Sequence, residues 1–412
     1  MTKKSSTPAI RFKGFTDTWE QRELWELTIW DKKFNEVEAE KQPKIVKYPY
    51  VLADVFSKIE DASGDVRLLS TGNYIGYTTD EKAGKNLCVG EVVAIPWGGV
   101  PNIKYYKGKF VTADNRIATS NDTETLGNRF LSLYLEHSLA FLQSIYRGAS
   151  IKHPSMNDVL SMQISIPHIQ EQREIETWFA NLDNLITLHQ RKYDKLTNVK
   201  KSMLEKMFPK NGSNVPEIRF KGFTEAWEQR KVSDLAEKTY GGGTPTTSNE
   251  AYWNGDIPWI QSSDVVDGKL LGVEPRKWIT QDGLNNSAAQ LIPGNSIAII
   301  TRVGVGKLAF MPYSYATSQD FLSLSKLNAE PLFTVYACYK KLQSELNAVQ
   351  GTSIKGITKD ELLAKNIMVP RYAEQQQIGA FFKQLDNLIT LHQRELEKLK
   401  NLKKACLEKM FV

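Results

Sequence analysis

The feature that most constrains this chain is an internal repeat. Residues 182–191 (LDNLITLHQR) occur again, without a change, at residues 385–394. A second shared segment, LEKMF at residues 204–208 and 407–411, lies at the same offset, so the two stretches align without a gap. The 412-residue chain is therefore a tandem duplication in which each half ends in the same segment.

The repeated segments carry apolar residues at alternating steps of four and three, which is the spacing of a coiled coil. The pattern predicts one helix of about 37 residues in each half, roughly 55 Å long at 1.5 Å per residue. Two matching apolar faces are buried most simply against each other, and an antiparallel pair sends the rest of each half to opposite ends. The seam positions predicted to meet are Ile175, Phe179, Leu182, Ile186, His189 and Leu196 in the first helix, and Ile378, Phe382, Leu385, Ile389, His392 and Leu399 in the second.

Two pairs of polar residues also fall on this seam. His189 and His392 occupy the same position in the two helices, and no carboxylate or thiolate accompanies them there. We therefore favour a structural or hydrogen-bonding role over a metal site. Lys200 and Lys403 are expected to extend their ammonium groups to solvent, or to mark the point where the helices diverge.

A shorter repeat opens each half. Residues 8–22 return as residues 216–230, and both copies contain IRFKGFT and WEQR. Basic and aromatic residues are typical of nucleic-acid stacking surfaces. Because the segment takes the same place in both halves, we favour a structural junction instead.

Between junction and helix, each half contains a body with short alternating apolar stretches and Gly or Asn turns, which predict strands. The predicted strands include residues 89–96 and 367–370, and helical spacing appears near the end of each body, at residues 129–145 and 332–347. The predicted fold class is α+β: two mixed α/β, β-rich domains related by a pseudo-twofold axis and separated by the antiparallel coiled coil. The predicted boundaries are a junction at 1–22, a first body at 23–168, a helix at 169–208, a linker with the second junction at 209–230, a second body at 231–373 and a helix at 374–412.

Composition limits the class of protein. The net charge of +6 and the pI of about 8.9 permit contact with nucleic acid without requiring it. The three cysteines have no paired spacing, which argues against a disulfide framework and a zinc site. No membrane-length apolar run or signal peptide is evident, so we expect a cytoplasmic protein.

Catalytic motifs fail when they are checked in full. A phosphate-binding loop around Gly306 and Lys307 would need a glycine where Thr301 stands and a Ser or Thr where Leu308 stands. The patterns of serine hydrolases, zinc peptidases and paired Cys-x-x-Cys sites are absent from the sequence. The sequence therefore predicts a chain with no catalytic residues, no metal and no cofactor of its own.

The bodies do contain polar loops with aromatic and cationic residues. Such side chains read base edges in the major groove or hold phosphates, although solvated turns have a similar composition. The candidate DNA-binding residues are Asn73, Tyr74, Trp97, Asn102, Lys104, Arg116 and Lys152 in the first body, and Thr244, Thr246, Ser248, Gln261, Ser263, Arg302, Lys307, Gln319 and Lys355 in the second.

Two different bodies, two nearly identical helices and a repeated junction together resemble the DNA-specificity (S) subunits of type I restriction-modification systems. Residues 241–245 (GGGTP), 253–259 (WNGDIPW) and 351–355 (GTSIK) are similar to the pattern of the target recognition domains in that family. The resemblance covers nearly the whole chain. The first body departs from it, because it lacks both the GGGTP opening and the WNGD motif.

The resemblance implies a subunit without activity of its own. The bodies would be two target recognition domains that each read one half of a bipartite double-stranded DNA target, and the helix pair would set the spacer between the halves. The chain would recruit two methylation (M) subunits, which bind S-adenosylmethionine, and restriction (R) subunits, which use ATP and Mg. No membrane is implied.

Two other interpretations remain open from the residues alone. A coiled-coil scaffold that presents two protein- or ligand-binding modules explains the helices and the missing catalytic motifs equally well. An enzyme with divergent sites in its two bodies is weaker, because the candidate loops share few reactive residues.

Overall fold

The computed structural model describes residues 7–210, 212–348 and 356–412, which divide into two compact units. Unit 1 contains the described residues up to Leu188 together with Leu396–Val412, and unit 2 contains His189–Glu395. Each unit therefore includes the first part of one long helix and the last part of the other.

Among its described residues, unit 1 combines eleven strands with seven α-helices, the last of which extends beyond Leu188, and with the final part of a further long helix. The strands are β1 (Glu20–Glu23), β2 (Thr28–Trp30), β3 (Lys44–Ile45), β4 (Val66–Leu69), β5 (Ile75–Thr78), β6 (Cys88–Pro96), β7 (Lys104–Thr112), β8 (Asn115–Ser120), β9 (Tyr146–Arg147), β10 (His153–Pro154) and β11 (Gln163–Ile166). The helices are α1 (Leu24–Leu27), α2 (Ala53–Ile59), α3 (Asp80–Ala83), α4 (Asn128–His137), α5 (Leu139–Ser144), α6 (Met156–Leu160) and the long α7 (Ile169–Lys206). Seven strands form one sheet in the order β3-β2-β8-β6-β7-β4-β5.

The described residues of unit 2 form nine strands, arranged around a related core. They are β12 (Glu228–Lys231), β13 (Ala236–Gly241), β14 (Trp253–Ile260), β15 (Lys277–Ile279), β16 (Ser296–Ile300), β17 (Leu308–Met311), β18 (Ala316–Thr317), β19 (Phe321–Leu327) and β20 (Asn366–Val369). The helices are α8 (Gln281–Asn285), α9 (Pro331–Ala348), α10 (Lys359–Leu363) and the long α11 (Tyr372–Lys409). The main sheets have the order β13-β19-β16-β17 and β15-β14-β18.

The two units share one antiparallel four-strand core. The order β2-β8-β6-β7 in unit 1 matches β13-β19-β16-β17 in unit 2, and each neighbouring pair is antiparallel. In each unit the WEQR segment also forms a strand that pairs with the strand preceding the long helix, as β1 with β11 and β12 with β20. The predicted mixed α/β fold is confirmed.

Both long helices have 38 residues, close to the predicted length. In unit 1, Phe179 contacts Phe411 and Asp183 contacts Lys403. A later residue of α7 thus contacts an earlier residue of α11, so the paired segments are antiparallel. In unit 2 the contacts Phe382–Phe208 and Asp386–Lys200 show the same arrangement.

The seam residues differ in burial along the helices. Those nearest each body are buried in the core, namely Ile175, Phe179 and Leu182 in unit 1 and Ile378, Phe382 and Leu385 in unit 2. Ile186, His189, Leu196, Ile389, His392 and Leu399 are half-buried. The Nδ1 atoms of His189 and His392 lie 3.2 Å apart, and burial together with this neighbouring imidazole lowers the pKa of His392.

The expectation that the seam lysines reach solvent or mark a divergence is wrong. In unit 2 the Lys200 ammonium lies 2.5 Å from a carboxylate oxygen of Asp386 and donates to the carbonyl of Gly268 at 3.0 Å. In unit 1 Lys403 lies 3.0 Å from Asp183 and 3.1 Å from Glu136. A lysine on an apolar seam is stable here because the opposite helix supplies a carboxylate.

The repeated junction segments are structural, as predicted. In unit 1 the Arg11 guanidinium makes a bidentate contact with Glu171 near the start of α7, at 2.6 and 2.8 Å. The Ile10 amide donates to the carbonyl of Lys409 at the end of α11, at 2.9 Å. One segment thus joins the beginning of one long helix to the end of the other.

The second junction repeats these contacts within unit 2. Arg219 contacts both oxygens of Glu374 at 2.7 Å, and the Ile218 amide donates to the carbonyl of Lys206 at 3.0 Å. The tryptophans of the segments, Trp19 and Trp227, are buried against aromatic rings, which leaves them no room to stack on bases.

The junction makes a direct prediction about stability. Arg219→Ala should lower the free energy of unfolding by about 3–5 kcal/mol, because it leaves the buried carboxylate of Glu374 without its ionic partner. Arg230→Ala is the matched control, since Arg230 pairs with Glu228 on the surface and its loss should cost less than about 1 kcal/mol. Urea unfolding of the full chain measures both, and equal losses would contradict the structural role of the junction.

Candidate nucleic-acid interface

Two equivalent hairpin loops organise the candidate site in each unit. Residues 97–103 join β6 to β7 in unit 1, and residues 301–307 join β16 to β17 in unit 2. Both loops have seven residues and leave the shared four-strand core at the same place. Candidate residues from other parts of each body gather beside them.

In unit 1, one cluster forms around Trp97. The Arg116 guanidinium lies over the Trp97 ring, 3.9 Å from its centroid, and His153 contacts the carbonyl of Trp97 at 2.7 Å. The Gly99 amide donates to the carbonyl of Lys152 at 2.9 Å. Three segments that are distant in sequence are therefore fixed together, and the Lys152 side chain remains exposed.

A second cluster in unit 1 contains the amides. Asn102 donates to Asn73 at 2.9 Å, and the Lys104 ammonium donates to the carbonyl of Ser70 at 2.8 Å. The hydroxyl of Ser70 donates to the carbonyl of Tyr74, whose ring is exposed. Burial, with a smaller contribution from the charge of Arg67, lowers the pKa of Lys104 to about 8.

Arg116 differs from the other candidates because it is buried. Only 3% of its surface is exposed, and its guanidinium pairs with Asp114 at 3.0 Å. Through these contacts with Trp97 and Asp114, Arg116 links the start of the β6–β7 loop to the turn between β7 and β8. Of the other candidates in unit 1, Asn73, Tyr74 and Lys152 are exposed, whereas Trp97, Asn102 and Lys104 are half-buried.

In unit 2, the glycine-rich opening docks against two neighbouring segments. The Thr244 hydroxyl donates to Gln319 at 2.7 Å, and the indole of Trp259 donates to the carbonyl of Gly243 at 2.9 Å. The indole of Trp253 donates to the carbonyl of Thr246 at 3.2 Å. Lack of space requires a glycine at two of the three positions, since a Cβ atom on Gly242 would lie 1.8 Å from the carbonyl oxygen of Ser318 and one on Gly243 would lie 2.2 Å from the carbonyl carbon of Ala288.

The other candidates of unit 2 flank this loop. Thr246, Ser248, Ser263, Arg302 and Gln319 are exposed, whereas Gln261 and Lys307 are half-buried. The turn that bears Gln319 is tied to the hairpin loop, because the Thr301 amide donates to the carbonyl of Asp320 at 2.8 Å. Lys355 lies outside the described residues.

Sequence reasoning missed one cation at this surface. The exposed Lys277 lies beside the rings of Trp253 and Trp259, at 5.6 and 5.9 Å from their centroids. Its neighbours in sequence, Arg276 and Trp278, are a cation and an aromatic residue, which is a weak sequence signal for a nucleic-acid contact. The pairing of β15 with β14 brings it to the site.

The surfaces offer amides, hydroxyls and cations, which suit contacts with bases and phosphates. Within the described residues, no group of three His, Cys, Asp or Glu side chains is placed to hold a metal ion. Burial raises the pKa of the thiols of Cys88 and Cys338 to about 11 and 12, which makes them poor nucleophiles. No helix in the described ranges is long and apolar enough to cross a membrane.

Comparison with known proteins gives a consistent result. The family model for the type I restriction modification DNA specificity domain matches residues 17–198 and 224–401. The MjaIX type I restriction enzyme specificity subunit of Methanocaldococcus jannaschii is 27% identical over 193 residues, covering 45% of this chain and 44% of that protein. The MjaVIII specificity subunit of the same organism is 26% identical over 297 residues, covering 66% and 67%. This chain thus spans less than half of the first relative's length.

A solved structure has a similar fold. The crystal structure of the type I restriction-modification system S subunit from M. genitalium superposes with a TM-score of 0.69 and 13% sequence identity. The match covers 98% of this chain and 99% of that one. At this identity the likeness concerns the fold alone.

The glycine-rich loop gives a prediction with an internal control. Gly242→Ala or Gly243→Ala should lower the free energy of unfolding by about 1–3 kcal/mol, because each new methyl group collides with backbone atoms. Gly241→Ala should leave it unchanged or slightly higher, since no atom lies within 4 Å of its Cβ position. Urea unfolding, followed by tryptophan fluorescence, compares the three variants. If Gly241→Ala cost as much as the others, the docking of this loop would not be the cause.

Proposed function

Since the chain belongs to the type I restriction-modification DNA-specificity family, whose members are non-catalytic subunits, we propose that it reads a bipartite DNA target for a type I restriction enzyme. The observation that carries this proposal is the shared four-strand core with two different sets of loops. Two domains that bind different DNA sequences require a common core with different polar loops at its edge. The proposed domain boundaries are those given by the sequence, 23–168 and 231–373.

In this proposal each unit reads one half of the target. Unit 1 presents Asn73, Asn102, Lys104 and Lys152, and unit 2 presents Gln319, Arg302 and Lys277. An amide side chain can form two hydrogen bonds with the edge of one adenine, and cationic side chains form hydrogen bonds with guanine edges or phosphates. Hydrogen bonds within each unit hold the side chains of Asn102, Lys104 and Gln319 before DNA binds, which lowers the entropic cost of binding.

Domain exchange tests this division of labour. Residues 23–168 are replaced by those of a relative with a known target, and the methylated sites of the assembled enzyme are mapped. One half of the target should change while the other half and the gap stay the same, because unit 2 is untouched. Changes in both halves would mean that the two units do not read DNA independently. The reciprocal exchange of residues 231–373 is the matched control.

The long helices are proposed to set the gap between the half-sites. Each has 38 residues and therefore a length of about 57 Å. The paired carboxylates and lysines on their facing sides fix the register within each unit. A pair of helices in fixed register is a suitable ruler, because its length does not vary with the DNA sequence.

Removing one heptad from each helix tests the ruler. Deleting residues 190–196 and 393–399 leaves seven fewer residues both between Asp183 and Lys200 and between Asp386 and Lys403, so both ionic contacts keep their register. One heptad is about 10 Å, or about three base pairs at 3.4 Å each. We expect a gap shorter by that amount, or loss of methylation because the half-sites also rotate about the DNA axis. Unchanged spacing with full activity would remove the ruler.

Exposed leucines on the repeats are the proposed contacts for M subunits. Leu185 and Leu188 on α7 are 43% and 45% exposed, and Leu388 and Leu391 on α11 are 44% and 51% exposed. The sequence around both pairs is identical. Two copies of one apolar surface fit two identical partners, which supports recruitment of two M subunits. S-adenosylmethionine would be bound by those subunits, and ATP and Mg by the R subunits.

Charge substitution tests the M contacts one at a time. Leu185→Glu with Leu188→Glu should reduce the bound M subunits from two to one, because a buried carboxylate at the contact is unfavourable. Leu388→Glu with Leu391→Glu is the matched variant, and all four changes should abolish binding. Native mass spectrometry of the reconstituted complex counts the subunits. Two M subunits on the fourfold variant would place the contacts elsewhere.

A further inference from the structure

The two most exposed large apolar side chains of the described residues occupy equivalent loops. Val303 is 72% exposed on the β16–β17 loop, and Val100 is 70% exposed on the β6–β7 loop. The loops have the same length and leave the same core strands, although their sequences differ. An exposed valine alone needs no explanation, but its recurrence at one place in both units does.

In unit 1 the backbone of the loop is held rigidly on both sides of the valine. Gly99 has a φ of +99°, which an ordinary residue rarely adopts, and its amide is bonded to the carbonyl of Lys152. Pro101, directly after Val100, is buried. The valine is thus carried outward by a fixed turn.

In unit 2 different residues produce the same result. Gly304 and Gly306 have φ values of +91° and +90°, and the Val305 amide donates to the carbonyl of Arg302 at 3.2 Å. The Thr301 amide fixes the loop to the neighbouring turn through Asp320. Val303 therefore also lies outward on a bonded turn.

The surroundings of both valines are cationic and polar. Lys104 and Lys152 lie beside the loop of Val100, and Arg302 and Lys307 flank Val303 in its own loop. An apolar surface with cations around it suits a ligand that is anionic at its edges and offers a small apolar group inside. In the major groove of DNA, phosphates lie at the edges and the 5-methyl group of thymine is the apolar feature. Side chains that wedge between bases are typically larger.

We propose that Val100 and Val303 each contact the 5-methyl group of a thymine, one in each half of the DNA target. This inference rests on the proposed function and identifies one base in each half-site that the chain would contact. Each half-site then contains a thymine whose methyl group contributes to recognition, and the two valines are specificity-determining residues.

Deoxyuridine replacement tests the contact, because it removes only the methyl group of thymine. Duplexes carry the target mapped for the assembled enzyme, with each thymine replaced in turn, and binding is measured with the full chain and its M subunits. One position in each half-site should lose about fourfold in affinity, the effect of one buried methyl group. In Val100→Ala that loss should disappear at the position in the half read by unit 1 and persist in the other half. Val303→Ala should show the reverse.

Val89→Ala is the matched control, since Val89 is 66% exposed but lies near the start of β6, at the far end of that strand from the loop. It should leave every deoxyuridine effect as in the unchanged protein. If no thymine position couples to either valine, or if a half-site has no thymine, the inference is overturned for that unit. Sequence-specific binding would persist in that case, whereas failure of the proposed function would abolish specific binding of the unmodified duplex.

Discussion

Each unit depends on an aromatic side chain that comes from the end of a long helix in the other half of the chain. In unit 1, Phe411 packs against Trp19, Phe130, Tyr134 and Phe179. In unit 2, Phe208 packs against Trp227, Phe333 and Phe382. Neither body has a complete core without this ring, and burial of one such side chain contributes about 1.5–3 kcal/mol. This requirement explains why LEKMF is repeated unchanged.

Ionic contacts between the two helices fix their register, which the apolar packing alone does not specify. Lys200 and Lys403 each meet the aspartate of the repeated segment on the opposite helix, Asp386 or Asp183. The additional partners differ: the Tyr336 hydroxyl donates to Asp386, whereas Arg129 pairs with Asp183. Burial and the neighbouring carboxylate raise the pKa of Tyr336, so this hydroxyl remains a donor. The duplicated frame has thus kept its central charge pair while its surroundings diverged.

The two units combine a nearly constant frame with loops that differ in sequence. The four-strand core, the junction and the helix ends are nearly the same in both units, and they contain the buried contacts. The exposed side chains of the loops at one edge of each core lie outside those contacts. A substitution such as Thr to Asn on an exposed loop changes the available hydrogen bonds without creating a cavity. Exposed loop residues can therefore change without loss of the contacts that hold each unit together.

The sequence by itself determined the duplication, the two long helices, the β-rich bodies and most of the seam, because periodic burial along one element is visible in the order of residues. It also predicted strands close to those observed, such as β6 and β20, from short apolar stretches. The helix predicted over 129–145 is interrupted near Ser138, since Leu139 begins a separate short helix.

Only the tertiary structure decided how distant residues combine. The stacking of Arg116 on Trp97, the pairing of Lys200 with Asp386 and the place of Lys277 beside two tryptophans each depend on segments that are far apart in sequence. Residue types showed that polar loops were present, but not which of their side chains are exposed. Contacts between such segments are set by the register of strands and helices, and a single chain read in order carries no direct signal for that register.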